Sequence, residues 1–85
     1  MTAEQIKHDS HAHRLSAELE GQIGRLDYEL DGNVMIITHT LVPRPIGGRG
    51  VAAELMRSAL ELAAANGWTV EPVCSYAVAY MKRHA

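Results

Sequence analysis

The chain has 85 residues, 47% hydrophobic and 21% charged, with a formal net charge of -2, which excludes a disordered, collagen-like or membrane-embedded class and leaves one small globular domain. A domain of this size hides only a little over ~60% of its unfolded surface, so one layer of helix on sheet is the economical core. The weak negative charge gives no general attraction for nucleic acid, and any anion site must be local. The single cysteine, Cys74, excludes an internal disulfide and suits a reducing compartment. No apolar run is long enough to span a bilayer, and the N-terminus lacks the apolar stretch of a signal peptide, so a cytoplasmic protein is expected.

Residues 1–12 are polar without a sustained period and read as a flexible tail ahead of one domain, 13–85. His8, His11 and His13 cluster at this end. Ligands on a mobile tail carry an ordering cost and nothing nearby completes a site, so no metal is expected. From Arg14 the pattern alternates through Leu15, Ala17 and Leu19, and Glu20-Gly21 supplies a turn. Leu26, Tyr28 and Leu30 continue the alternation; Ile23 is out of phase with them, which predicts a bulge at Gly24. Asp31-Gly32-Asn33 is a hairpin turn, and the third strand runs Val34 to Val42. Its continuous apolar start, Val34-Met35-Ile36-Ile37, predicts a central strand covered on both faces.

Pro43 and Pro45 end that strand, and the loop continues to Gly50. Val51, Leu55, Ala59, Leu62 and Ala63 then form an apolar stripe at helical spacing, opposite Glu54, Arg57, Ser58 and Glu61, until Asn66-Gly67 stops the helix. Trp68 to Cys74 reads as a short strand weakened at Pro72, and Ser75 as the N-cap of a last helix reaching about His84. The expected fold class is α/β (α+β): an antiparallel three-stranded meander, then a right-handed βαβ unit placing its new strand parallel to Val34–Val42, then a C-terminal helix.

The chemistry concentrates where Gly47-Gly48-Arg49-Gly50 joins a strand to a helix N-terminus. Unpaired N–H groups and the positive end of the macrodipole attract an anion there, and glycines let a phosphate approach the main chain. Arg49 and Arg44 can each add a charged hydrogen bond. The loop is not a Walker loop, since no Gly-Lys-Ser/Thr follows. It also departs from GxGxxG, because Gly48 and Gly50 are followed by Ala53 at the third position.

His39-Thr40-Leu41-Val42-Pro43, Gly48-Arg49-Gly50-Val51-Ala52, Val73-Cys74-Ser75-Tyr76 and Tyr80-Met81-Lys82-Arg83-His84 together resemble a small GCN5-related N-acetyltransferase (GNAT)-like family of short, single-domain proteins. The resemblance covers roughly Arg14 to the C-terminus. It implies a Gln/Arg-x-x-Gly-x-Gly/Ala loop whose amides hold the pyrophosphate of acetyl-CoA, here Gly47, Gly48, Arg49, Gly50, Val51 and Ala52. Gly stands at the first position, so one side-chain contact is lost while the amides are kept, and Arg49 can compensate. It further implies a splayed parallel strand pair in which the pantetheine arm of coenzyme A pairs near Thr40, Leu41 and Val42, with Pro72 helping to unpair the facing strand and Ser75 contacting the cofactor. The chain is shorter than the usual GNAT enzyme and lacks the early elements that shape an acceptor pocket. An open acceptor side, or one completed by a partner, is expected.

Acetyl transfer from a thioester to an amine needs a base for the amine proton and an acid for the departing thiolate. His39 is the candidate base, its ordinary pKa lying near working pH; alternatively it is a sheet histidine bonded to a neighbour. Cys74 can form an acyl-cysteine if the following helix stabilises its thiolate; alternatively it is a small buried hydrophobe. Tyr80 resembles the GNAT tyrosine that protonates the thiolate, although the usual spacing from the preceding motif is not reproduced; alternatively it is a core aromatic. Two functions follow: an acetyltransferase acting on a small-molecule or protein amine, and a module that binds coenzyme A or acyl-CoA without turnover. A general anion binder is the third. Neither the acceptor nor the oligomeric state is encoded in a readable motif.

Overall fold

Alternation sets the sheet, and five strands share it. The computed structural model describes residues 6–84. In chain order these are β1 (Ile6–Asp9), β2 (Arg14–Leu19), β3 (Gln22–Asp31), β4 (Val34–Leu41), a 3-10 turn (Arg44–Ile46), α1 (Val51–Asn66), β5 (Thr69–Pro72) and α2 (Ser75–Arg83). The strands lie in sequence order; β1 to β4 form an antiparallel meander, and β5 joins β4 in parallel.

The meander has four strands rather than the three expected. Ile6–Asp9, read from sequence as part of a tail, pairs with β2 from Ile6↔Ala17 to Asp9↔Arg14. The remainder of that tail, residues 1–5, lies outside the described residues. One apolar residue in Ile6-Lys7-His8-Asp9 is too few to show a period, yet a closed turn and contacts with Tyr28 fix the strand. The Asp9 carboxylate accepts from the backbone N–H groups of His11 and Ala12 at 3.0 and 3.1 Å, closing the turn. His8 Nε2 lies 2.6 Å from the Tyr28 hydroxyl, and His13 stacks on the Tyr28 ring at 5.1 Å.

Leu15, Ala17, Leu26, Tyr28, Met35 and Ile37 point to one face, where α1 lays Val51, Leu55, Met56, Ala59 and Ala63 against them and α2 contributes Ala77. Each fully buried Leu, Ile or Met contributes about 1.5–3 kcal/mol of apolar transfer, an upper bound given a compact unfolded chain. The opposite face of β4 is not covered as expected: Val34 and Ile36 are half-buried, and Leu41 is exposed. The burial of β4 alternates instead, with Met35 and Ile37 buried, because the core and α1 lie against one face of the strand.

The bulge also lies elsewhere. β2 and β3 pair without interruption through Ala17↔Gly24, and the register shift falls between Asp27↔His39 and Tyr28↔Ile37, leaving Thr38 of β4 as the extra residue. Gly24 serves packing instead, since a Cβ there would lie 2.8 Å from Val51 Cγ1 at the start of α1. Helix α1 ends as the sequence implies. Gly67 adopts φ 72, and the N–H groups of Gly67 and Trp68 return to the carbonyls of Ala64 and Ala63 at 3.3 and 2.8 Å, a Schellman closure.

Candidate active site

The site forms where β4 and β5 separate. Their parallel pairing runs from Val34↔Thr69 to Ile37↔Pro72 and stops. Pro72 has no N–H to continue the ladder, and the N–H groups of Val73 and Cys74 both turn to the Ile37 carbonyl, at 3.0 and 3.1 Å. Beyond that doubly used carbonyl, Thr38 to Leu41 have no β5 partner, which is the splay expected from the sequence.

The Thr38 bulge decides which side chains face the gap. Met35 and Ile37 point to the helix-covered face, and strict alternation would send His39 there as well. One extra residue reverses the phase. Thr40 therefore pairs beside buried Leu26 on the inner face, while His39 pairs beside Asp27 on the open face. Thr40 Oγ1 lies 3.4 Å from Cys74 Sγ across the mouth of the splay. His39 is exposed, with Nδ1 3.2 Å from Thr38 Oγ1. The structure thus joins Cys74 to Thr40 and puts His39 on the other side of the sheet.

Cys74, not Ser75, is the N-cap of α2: its sulfur accepts the Ala77 N–H at 3.3 Å, and Ser75 is the first helical residue. The cap is a thiol in a role that Ser, Thr, Asp or Asn normally fill, which is why the sequence pointed to the serine. The half-buried sulfur is thereby held between a backbone donor and a hydroxyl.

A cavity of about 250 Å³ lies at the start of α1, lined by Val42, Ile46, Gly47, Gly48, Gly50, Val51, Ala52, Ala53 and Tyr76. Its two walls are the chains that leave the splay: Val42 is two residues past Thr40, and Tyr76 two past Cys74. Ile46, fully buried, anchors the loop to the core. Gly48 and Gly50 have φ 77 and 83, conformations that a Cβ disfavours, and a Cβ at either would meet nothing within 4 Å. Helix α1 begins at Gly50 without a side-chain cap, so its first N–H groups have no intrahelical acceptor. The N–H of Gly47 is taken by the Arg44 carbonyl at 2.9 Å, so the amides left for a phosphate group are those at the start of α1; the unpaired stretch of β4 fits an extended amide-bearing arm such as pantetheine.

Several side chains sit elsewhere than the motifs suggested. Arg49 does not line the cavity; its Nη1 donates to Glu20 Oε2 at 2.7 Å. Arg44 is exposed on the 3-10 turn. Leu41 points to the open face, 57% exposed. Tyr80 is six residues along from Cys74, about 9 Å of helical rise, and stacks on His84 at 4.1 Å. The tyrosine in the cavity is Tyr76, its hydroxyl raised above the ordinary 10.0 by burial first and by Tyr80 second, with Arg83 opposing. Tyr76 closes the Val73-Cys74-Ser75-Tyr76 stretch, which carries no mark of its own for a cavity residue. Its i, i+4 relation to Tyr80, with rings 6.1 Å apart, is the helical signal that places the two on one stripe.

A strand pair that parts beside a glycine-rich helix N-terminus, with one helical layer behind it, is the GNAT-like architecture. The chain belongs to the GCN5-related N-acetyl-transferase family, whose model matches residues 14–85. Its fold is similar to the solution structure of a GCN5-like candidate N-acetyltransferase from Staphylococcus aureus, with a TM-score of 0.75 and 25% identity over 99% of this chain and 83% of that one. No curated protein matches it in sequence. Among the described residues, no helix is long and apolar enough to cross a membrane.

Proposed function

We propose that this chain binds acetyl-CoA and transfers its acetyl group to an amine by way of Cys74, acting in the cytoplasm, where a free thiol stays reduced. One observation carries the reading. The cradle at the start of α1 is walled by Val42 and Tyr76, each two residues along the chain from Thr40 and Cys74, whose Oγ1 and Sγ lie 3.4 Å apart. A pyrophosphate on the α1 amides would lead its arm along the unpaired edge of β4 toward that thiol.

In the relay, Cys74 Sγ attacks the thioester carbonyl carbon. A new S–C bond forms, the bond to the coenzyme A sulfur breaks, and that sulfur leaves with the electron pair and is protonated by a tyrosine hydroxyl, which the proton that Cys74 gave up then restores. An amine then attacks the acyl-cysteine carbonyl, forming the amide and returning the thiol. Tyr76, whose raised hydroxyl keeps its proton at neutral pH, is better placed than Tyr80 to protonate the leaving thiolate. His39 would take the amine proton, which assigns the acceptor to the open face and the coenzyme to the helix-covered face, with the gap between β4 and β5 as their meeting point.

Incubation with acetyl-CoA followed by intact mass and peptide mapping tests the relay: a hydroxylamine-sensitive acetyl group on Cys74 is expected. Transfer that proceeds in a Cys74→Ser variant at the wild-type rate rules the relay out and leaves direct attack by the amine.

A second reading, a coenzyme A-binding module without turnover, is favoured by one feature. Two further cavities among the described residues, one lined by Ile6, His8, Leu15, Ser58, Glu61, Leu62 and Ala65 and one by Lys7, Ser16, Glu18 and Ile23, touch neither His39 nor Cys74. Neither offers an acceptor a seat beside those side chains. Binding of acetyl-CoA with no acetyl transfer to Cys74 or to any amine offered selects this reading.

A further inference from the structure

Arg49 occupies the centre of the glycine loop, between Gly48 at φ 77 and Gly50 at φ 83, yet its guanidinium is turned away from the cavity onto a carboxylate. Glu20, which holds it at 2.7 Å, sits in the two-residue turn between β2 and β3 at φ 51, beside Gly21 at φ 76. That left-handed conformation is strained for a residue with a Cβ, and such turns favour Asn, Asp or Gly. The turn therefore gives up stability at the position that reaches Arg49. Both side chains are about half exposed, at 49% and 60%, so the pair is of the weak surface kind and readily exchanged.

The geometry points to Glu20 as a specificity-determining residue: an internal anion that competes with the phosphates of the bound coenzyme for Arg49. This rests on the reading of the glycine loop as the pyrophosphate site. A ligand recruits Arg49 only by offering it more negative charge than one carboxylate does. A phosphate-bearing ligand meets that condition, and a neutral pantetheine does not. Glu20 thus lowers affinity for the whole coenzyme and leaves the affinity of its arm unchanged.

The test is a calorimetric double-mutant cycle with coenzyme A and, separately, pantetheine, on wild type, Glu20→Gln, Arg49→Ala and the pair combined. Glu20→Asn, whose side chain suits the turn and is too short to hold Arg49, serves as the second removal of the carboxylate. Both Glu20 variants are expected to bind coenzyme A about two- to fivefold more tightly, the range an exposed ion pair supports. Pantetheine binding should not move, and the gain should vanish in the Arg49→Ala background. Wild type that binds coenzyme A while the Glu20 variants bind it equally or more weakly overturns the role of Glu20 and leaves the site standing. A gain of the same size without Arg49 overturns it as well. Wild type that binds neither ligand overturns the site and the role of Glu20 together.

Discussion

Thr40 Oγ1 and Cys74 Sγ face each other at 3.4 Å at the point where β4 and β5 part, and this contact exists because one extra residue, Thr38, reverses the phase of β4. The same sulfur caps α2 through Ala77. The structural cap and the proposed chemistry therefore fall on one atom, and a substitution at Cys74 must be chosen to separate them.

Cys74→Ala is expected to remove transfer and also to cost about 0.5–2 kcal/mol of stability, the usual loss of an N-cap. Cys74→Ser keeps an acceptor for the Ala77 N–H, so it should melt near wild type, bind acetyl-CoA almost unchanged and still lose the relay. Thermal melts with transfer assays on both variants check this. Equal destabilisation by Ala and Ser would show that the sulfur contributes nothing as a cap.

Gly24→Ala should be unusually costly for a strand residue. Its backbone needs no left-handed angle, but the added Cβ would lie 2.8 Å from Val51 Cγ1, forcing the first turn of α1 outward at about 1–3 kcal/mol. Coenzyme A binding should weaken with it, because Val51 and Ala52 line the cavity. Adding Val51→Ala removes the clashing methyl, so urea denaturation of the double variant should show less loss than the sum of the two singles.

Gly50→Ala presents the opposite case. An added Cβ has open space around it, but φ is 83, so the cost is backbone strain of about 1–2 kcal/mol. Gly50→Asn should lose less, because Asn tolerates the left-handed region. Chemical denaturation of the two variants measures the difference, and equal losses would mean that strain is not the cause.

Most of the fold was legible because it follows from local pattern. The alternation of Leu15, Ala17 and Leu19, the turn at Asp31-Gly32-Asn33, the stripe of α1 and its stop at Gly67 each lie within a few residues of their cause. What escaped depends on distant partners. Strand β1 has a single apolar residue and is fixed by β2 and Tyr28. The bulge belongs to β4, whose composition around Thr38 carries no glycine to mark it. Ile46 looks like any loop isoleucine until the core closes over it. At the site, the glycine turn ahead of α1 was readable from residue type, whereas Arg49's partner is 29 residues away and could not be read. Tyr76 and Tyr80 share one helical stripe, so their spacing could not say which of them lines the cavity.

Alkaline pH should weaken the fold. Burial, with the carboxylate of Asp9 second, raises the Tyr28 hydroxyl above its ordinary 10.0, and burial likewise raises Tyr76. Above about pH 10 the unfolded chain releases these protons while the folded chain keeps them, so stability is constant below the unfolded value and falls as pH rises toward the folded ones. Tyr28→Phe should melt lower at neutral pH, having lost the contact with His8, and should show a shallower alkaline decline. Melting curves between about pH 8 and 11 check both; an equally steep decline in the Phe variant would exclude Tyr28 as a source.

The most direct test of the site is calorimetric titration of the folded wild-type chain with acetyl-CoA and, separately, with ADP. Acetyl-CoA is expected to bind the more tightly, because its arm adds backbone contacts along β4 that ADP cannot make. Equal affinity for the two, or no binding of either, would contradict the assignment of the Gly47–Ala53 cradle and the splay to acyl-coenzyme A.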